Sequence, residues 1–410
     1  MCDTYSHALC NVAATGAPDG SYGLFSERNP AAEGPLRVPT SWDFEGSASK
    51  DPSYPAGIYD VFPRDQWVRD LEQGPLNRRA WVMQERFLST RVLHFSASQV
   101  FWECLEHTSG ELFPDGIPPI ARPFWLEDSQ KLKQAVFQSQ NSDKEKWHDS
   151  LYSSWQVFVR SYTRCGLSDE GDKLVAINGV AQLLSKTAGV EFVGGLWHSR
   201  LLQELCWMRV TDYGDKNLFP TFYPQNWRAP SWSWAGTNVT AHPGNVRHHV
   251  GPRCSELQPK VSVEEIVVDA HDSGQLKHAS LTLRGEPLHA IFIQGKKGED
   301  SPTSSSKLIC GRSAITAKHD YNRTPFELIF DNPDQVIQPQ EELVFLSIYT
   351  CCNCTALSSR PTRYMMALAL QAQNAEKTQY KRVGLLEMQD SGLDFYMEHK
   401  TGKECSVTLV

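Results

Sequence analysis

The sequence predicts an α+β chain: a Trp-rich, mostly helical N-terminal half carrying one β-hairpin, followed by an all-β C-terminal half, a sandwich or partial barrel. Three observations carry this expectation. All 12 tryptophans lie between Trp42 and Trp234, and none follows. Apolar residues before that point recur mainly at steps of three and four, the repeat of one helix face. Beyond it the repeat becomes two, as in half-buried strands.

Near the start, Tyr5, Ala8, Leu9, Val12 and Ala13 make one short amphipathic face. Residues Asn77–Leu88 read as a helix entered after Gly74-Pro75, and Val92–Phe95 with Val100–Cys104 read as a hairpin around Ser96-Ala97-Ser98. The clearest helix spans about Asp143 to Cys165, with Trp147, Leu151, Trp155, Phe158 and Tyr162 on one face and Ser142 with Glu145 as a capping box. Further helices are expected over 172–186 and 200–208. The turn-rich stretch Ala241–Pro252 marks a linker. After it, 261–269, 280–283, 290–294, 327–330, 343–349, 364–370 and 382–388 read as strands, and Lys296–Lys307 as a loop.

Composition narrows the function classes. The chain has 410 residues, 40% apolar and 21% charged, so it should fold into two or three domains. A formal charge of −8 with dispersed Lys and Arg argues against a nucleic-acid partner. No stretch approaches the roughly 20 apolar residues of a membrane span, and Met1–Tyr5 lacks the opening of a signal peptide. Eleven cysteines without such a signal then read as mostly reduced thiols in a cytoplasmic protein. No phosphate loop, dinucleotide fingerprint, zincin or nucleophile-elbow pattern occurs, and no cofactor is expected.

One segment is distinctive: Pro75-Leu76-Asn77-Arg78-Arg79-Ala80-Trp81-Val82-Met83-Gln84-Glu85-Arg86. It continues through Arg91-Val92-Leu93-His94-Phe95 and Gln99-Val100-Phe101-Trp102-Glu103-Cys104. Asp172-Lys173-Leu174-Val175-Ala176-Ile177-Asn178-Gly179, Gly194-Gly195-Leu196-Trp197 and Ala229-Pro230-Ser231-Trp232-Ser233-Trp234-Ala235 follow in order. These blocks resemble those of fungal heterokaryon-incompatibility (HET domain) proteins over residues 1 to about 240, and Arg382-Val383-Gly384-Leu385-Leu386 resembles them loosely. The resemblance implies a remnant of the HET domain over 1–40 and a Trp-rich HET-associated region over 41–240, while the two-residue repeat gives a β-rich domain over 255–410. The family's opening Leu-Ser-Tyr-x-Trp-Gly and Leu-Trp-Ile-Asp segments do not occur, so the chain is expected to be truncated or a shortened paralogue, and poorly soluble alone.

The resemblance implies nonself recognition and cell-death signalling through unidentified protein partners. The alternative is an enzyme, since HET domains are thought to be related to TIR domains, some of which cleave NAD. Such a site would lack strands here, so no catalytic residue is carried over.

Each motif residue has a chemical and a structural reading. Glu85 as acid or base and Arg86 as an anion contact compete with buried polar ties from Gln84, Glu85 and Arg86 to the hairpin, beside a packed Trp81. Cys104 with His107 or His94 could form a thiolate–imidazole pair, but Phe101 and Trp102 suggest a core strand with Glu103. Cys351-Cys352-Asn353-Cys354 could supply half a zinc site, against a strand end with incidental thiols. Ser231-Trp232-Ser233-Trp234 alternates as a strand would, giving either a stacking platform or buried indoles. Asp172-Lys173 reads as the acidic opening of a helix. The structural reading is preferred throughout, for Pro230, Gly195 and Trp197 as well.

Overall fold

The computed structural model describes residues 2–29, 34–40, 57–137, 144–209, 223–242, 257–271, 273–295, 306–317, 324–335, 337–338, 341–354 and 362–410. It is an α+β chain with a large multi-stranded sheet in its C-terminal half. Two compact units divide between Ser154 and Trp155. The linker expected at 241–252 lies mostly outside the described residues, as do Ser142 of the capping box and most of the 296–307 loop.

The first unit holds helices α1 (Cys2–Ser6), α2 (Ala80–Leu88) and α3 (Phe124–Phe137). Its strands are β1 (Asn11–Ala13), β2 (Leu36–Thr40), β3 (Gly57–Val61), β4 (Arg91–Phe95), β5 (Val100–Cys104) and β6 (Thr108–Gly110). The sheet order is β1-β4-β5-β6, with β1 parallel to β4 and the β4–β5 hairpin in register from Arg91↔Cys104 to Phe95↔Val100. The single amphipathic face foreseen over Tyr5–Ala13 is thus a short helix followed by a strand. Asn77 falls in a separate 3-10 turn, Leu76–Arg78, because Arg79 is extended at φ −95° and ψ 128° and interrupts the helix. A π-helical turn, Trp67–Glu72, buries Trp67 and Leu71 against Phe101 and Ile117.

Helix α4 (Lys144–Tyr162) contains the division between the units. Trp155, Phe158, Val159 and Tyr162 are buried, as the four- and three-residue steps require. Helix α5 (Val175–Ala188) ends at Gly189, whose φ of 66° lets its N–H reach the Ser185 carbonyl at 2.8 Å. The helix expected over 200–208 is only one turn, α6 (Leu201–Glu204), before the chain extends.

The remaining strands are β7 (Phe192–Val193), β8 (Leu196–Trp197), β9 (Met208–Arg209), β10 (Ala241–His242), β11 (Gln258–Pro259), β12 (Val261–Ala270), β13 (Leu276–Gly285) and β14 (Pro287–Ile293). Then come β15 (Lys307–Cys310), β16 (Ser313–Thr316), β17 (Phe326–Phe330), β18 (Glu342–Cys354), β19 (Thr362–Ala372), β20 (Gln379–Gln389), helix α7 (Ser391–His399) and β21 (Cys405–Leu409). Eleven of these form one sheet, in the order β12-β13-β21-β20-β19-β18-β14-β15-β16, with β11 on β18 and β17 on β20. Only Lys260 separates β11 from β12. The first pairs with Tyr349 and Thr350 of β18 and the second with β13, so the ladder returns on itself. Phe292, Phe330, Phe345, Met365, Leu386 and Leu393 fill one core, each side chain contributing about 1.5–3 kcal/mol through burial.

Candidate functional site

Two buried polar clusters gather most of the motif residues, one in each unit. In the first, Glu103 of β5 sits at 2% exposure, and three side chains converge on it. Arg86 Nε donates to its Oε2 at 2.6 Å, His94 Nε2 approaches the same oxygen at 3.2 Å, and Lys133 Nζ of α3 donates to Oε1 at 3.0 Å. Lys133 also donates to the Arg86 carbonyl at 2.8 Å, and Thr15 Oγ1 lies 3.0 Å from His94 Nδ1.

Strand alternation explains why Phe101 and Glu103 face inward while Trp102 and Cys104 are half-buried on the other side. Burial opposes ionisation of Glu103, but the charges of Arg86 and Lys133 and the His94 bond outweigh it, holding its carboxyl well below the ordinary value. Burial likewise lowers the Lys133 ammonium, with Glu103 opposing, and takes His94 down to about 4. A neutral His94 must then carry its proton on Nε2, facing the carboxylate, and accept from Thr15 at Nδ1.

These geometries favour a structural tie. Gln84 is buried, whereas Glu85 is only half-buried and turns to Tyr5, whose hydroxyl burial, and after it the Glu85 carboxylate, push up to about 12. Cys104 and His107 meet through the backbone, Cys104 N–H to His107 O at 2.9 Å, while the His107 ring packs against Gly116. His94 is committed to Thr15 and Glu103. No thiolate–imidazole pair forms among these residues.

In the second unit the other three blocks fold onto one another. Asp172 does not open α5: it lies in a 3-10 turn, Glu170–Lys173, capped by Asp169, so its expected helix-opening role is corrected. Lys173, 3% exposed, donates to Thr237 O at 2.7 Å and lies 6.0 Å from the Trp234 ring. Burial, with Arg228 nearby, holds it well below the usual ammonium range. Arg228 ties the same loop through Ala235 O at 2.7 Å, Glu170 O at 2.9 Å and Asn238 Oδ1 at 2.7 Å.

The Ser231–Trp234 segment is a turn running into a 3-10 turn at Trp234–Gly236, not a strand, because Ser233 Oγ accepts from Ala235 N at 3.1 Å and closes the chain locally. Both indoles are nonetheless fully buried. Gly194 and Gly195 have φ of 58° and 100°, and a Cβ on Gly194 would lie 2.5 Å from Trp232 Cη2. The paired glycines therefore let the backbone lie against the Trp232 ring, and Trp234 Nε1 donates to Gly195 O at 2.7 Å. The neighbouring Trp197 is buried and its N–H donates to Glu204 Oε2 at 3.1 Å. Burial pushes Glu204 up to about 8. Pro230 is buried and its carbonyl accepts from Ser233 N at 3.0 Å.

Several participants escaped the sequence reading. Lys133 and Arg228 stand alone in the sequence and gave no signal. Arg382 did, within the loosely matching Arg382–Leu386 piece: it is 1% exposed, bonded to Asp331 at 3.0 and 3.1 Å, and its guanidinium lies 3.8 Å from the Trp207 ring.

Among the described residues no group of three or more His, Cys, Asp or Glu side chains could hold a metal. Cys351 is buried and disulfide-bonded, whereas Cys10, Cys104, Cys165, Cys206, Cys310 and Cys405 are free. The Cys352 and Cys354 side chains lie outside the description. No described helix is long and apolar enough to cross a membrane. No protein-family model, curated protein or solved structure matches the chain.

Proposed function

We propose that the chain is a heterokaryon-incompatibility-type recognition protein of the cytoplasm, acting in nonself recognition and cell-death signalling through contacts with a protein partner. The observation that most supports this reading is the exposed apolar side chains of the first unit. Leu9 and Phe25 are each 82% exposed, Ile58 75%, Tyr22 66% and Leu36 65%. Large apolar and aromatic groups held in water supply the anchors of a binding surface. The ordered motif blocks support it too, because their polar side chains are spent on one another: Arg86 on Glu103, Lys173 on Thr237, Trp234 on Gly195.

The test is inducible expression of the whole chain in a filamentous fungus, with growth, viability and cellular NAD followed together. Growth arrest is expected, and a Leu9→Asp, Phe25→Asp, Ile58→Asp triple variant made at the same level should relieve it without a change in NAD. Absence of arrest would count against the reading. NAD loss that persists in the triple variant would favour a TIR-like enzyme instead.

A further inference from the structure

Trp67, at the start of the π-helical turn, is 1% exposed, and its indole N–H has no partner among the described residues. Its ring packs edge-on against Phe101, with centroids 5.6 Å apart. It lines a cavity of about 10 Å³ with Gln66, Gln99, Gly110, Phe113 and Ile117. Gln99 is 3% exposed. Its side-chain oxygen accepts from Leu112 N at 3.4 Å. Gly110 makes room for this: a Cβ there would lie 2.8 Å from Gln99 Oε1 and 3.1 Å from Phe101 Cδ1.

We infer that this cavity binds one ordered water molecule, held by Trp67 Nε1 beside the Gln99 amide. A buried N–H left bare is costly, and nearly all such groups in folded proteins find a partner. A buried donor beside one small space, with the Gln99 amide in its lining, calls for an acceptor, and a space near 10 Å³ is the size of one water-sized probe. The ligand is therefore a small neutral acceptor that can donate onward, which water is. It would bridge the π-helical turn to the β4–β5 hairpin. The Arg86 guanidinium lies 5.9 Å from the Trp67 ring centroid, so the indole that holds the water also touches the Glu103 cluster.

Tryptophan indoles of the full chain labelled with 15N would report it, with Trp67→Phe used to assign the Trp67 signal. The Trp67 indole proton is expected to show a direct cross-relaxation peak to water, and Gly110→Ala, which adds a Cβ to the cavity lining against Gln99 Oε1 and Phe101, should weaken it by half or more. Should Gly110→Ala fail to fold, Gln99→Leu removes the lining amide and should have the same effect. A Trp67 indole without a water peak in the unaltered chain overturns the inference, as does a peak unchanged in a folded variant of either kind.

Discussion

Lys133 and Glu103 meet at 3.0 Å with each side chain only 3% exposed, joining α3 to β5 in the interior of the first unit. The pair is not isolated, since Arg86 takes the other carboxylate oxygen at 2.6 Å. Buried ions of this kind add little net stability when complete, but removing one partner leaves the others desolvated and unpaired. Glu103→Leu should therefore cost about 3–5 kcal/mol in urea unfolding, by that argument. Lys133→Met added to it should recover part of the loss. A single variant within about 0.5 kcal/mol of the parent, the range of ordinary surface changes, would contradict the arrangement.

The same cluster sets an acid sensitivity. His94 is lowered from 6.5 to about 4 in the folded chain, chiefly by burial, so between those values the unfolded chain binds more protons. Its contribution is complete above about pH 6.5 and is lost as pH falls toward 4, adding up to about 3 kcal/mol of acid destabilisation. Glu103, also held low, works in the same direction below the ordinary carboxyl value of 4.5. His94→Gln should flatten the stability profile between pH 6.5 and 4, measured by thermal unfolding. A slope there unchanged by the substitution would show that His94 titrates freely.

Glu204 predicts the opposite trend on the alkaline side. Its folded value of about 8 lies above the ordinary value of 4.5, mainly through burial, so the folded chain holds the extra proton between them. Stability from this group is greatest below about pH 4.5 and falls as pH rises toward 8. Glu204→Gln keeps an acceptor for the Trp197 N–H and should remove the decline. Unfolding free energies at pH 6 and pH 8.5 that differ equally in parent and variant would refute this.

Gly194 offers a sharper structural test than Gly189. Both have positive φ, 58° and 66°, but a Cβ at Gly189 meets nothing within 4 Å whereas one at Gly194 meets the buried Trp232 ring at 2.5 Å. Gly189→Ala should cost about 1 kcal/mol, the penalty of a left-handed residue alone. Gly194→Ala should cost clearly more, with a shifted tryptophan emission as the Trp232 indole moves. Equal losses would mean that the ring yields freely.

How much of this was legible follows from the physics of each element. The β4–β5 hairpin and α4 were readable because their apolar spacing is uninterrupted and local. In β18 the consecutive residues Leu343, Val344, Phe345 and Leu346 are all buried, so no alternation marks the limits of this 13-residue strand. Strand β21 was missed because its partner β13 lies 120 or more residues away. Glu103 and Arg86 were visible as motif residues. Their partner Lys133 was not, since a lysine on a helix ordinarily reads as solvated and only tertiary packing buries it. The alternation in Ser231–Trp234 misled for a similar reason, a side-chain cap overriding a two-residue repeat.

Arg382 is the corresponding test in the second unit. Its Nε and one terminal nitrogen grip Asp331 at 3.0 and 3.1 Å, the other terminal nitrogen donates to Leu205 O at 2.6 Å, and its backbone N–H donates to Ser231 Oγ at 2.9 Å. The planar guanidinium also lies 3.8 Å from the centre of the Trp207 ring. A lysine has one point charge and cannot hold a forked carboxylate, a carbonyl and an aromatic face together. Arg382→Lys should therefore behave as a disruptive change, losing about 3–5 kcal/mol because Asp331 is left buried and half-paired. Asp331 is already raised by burial, so removal of the guanidinium should raise it further and draw a proton from solvent. The variant should consequently lose less stability at pH 5 than at pH 8, which simple loss of packing would not produce. A loss independent of pH would assign the role of Arg382 to its stacking on Trp207 rather than to its charge.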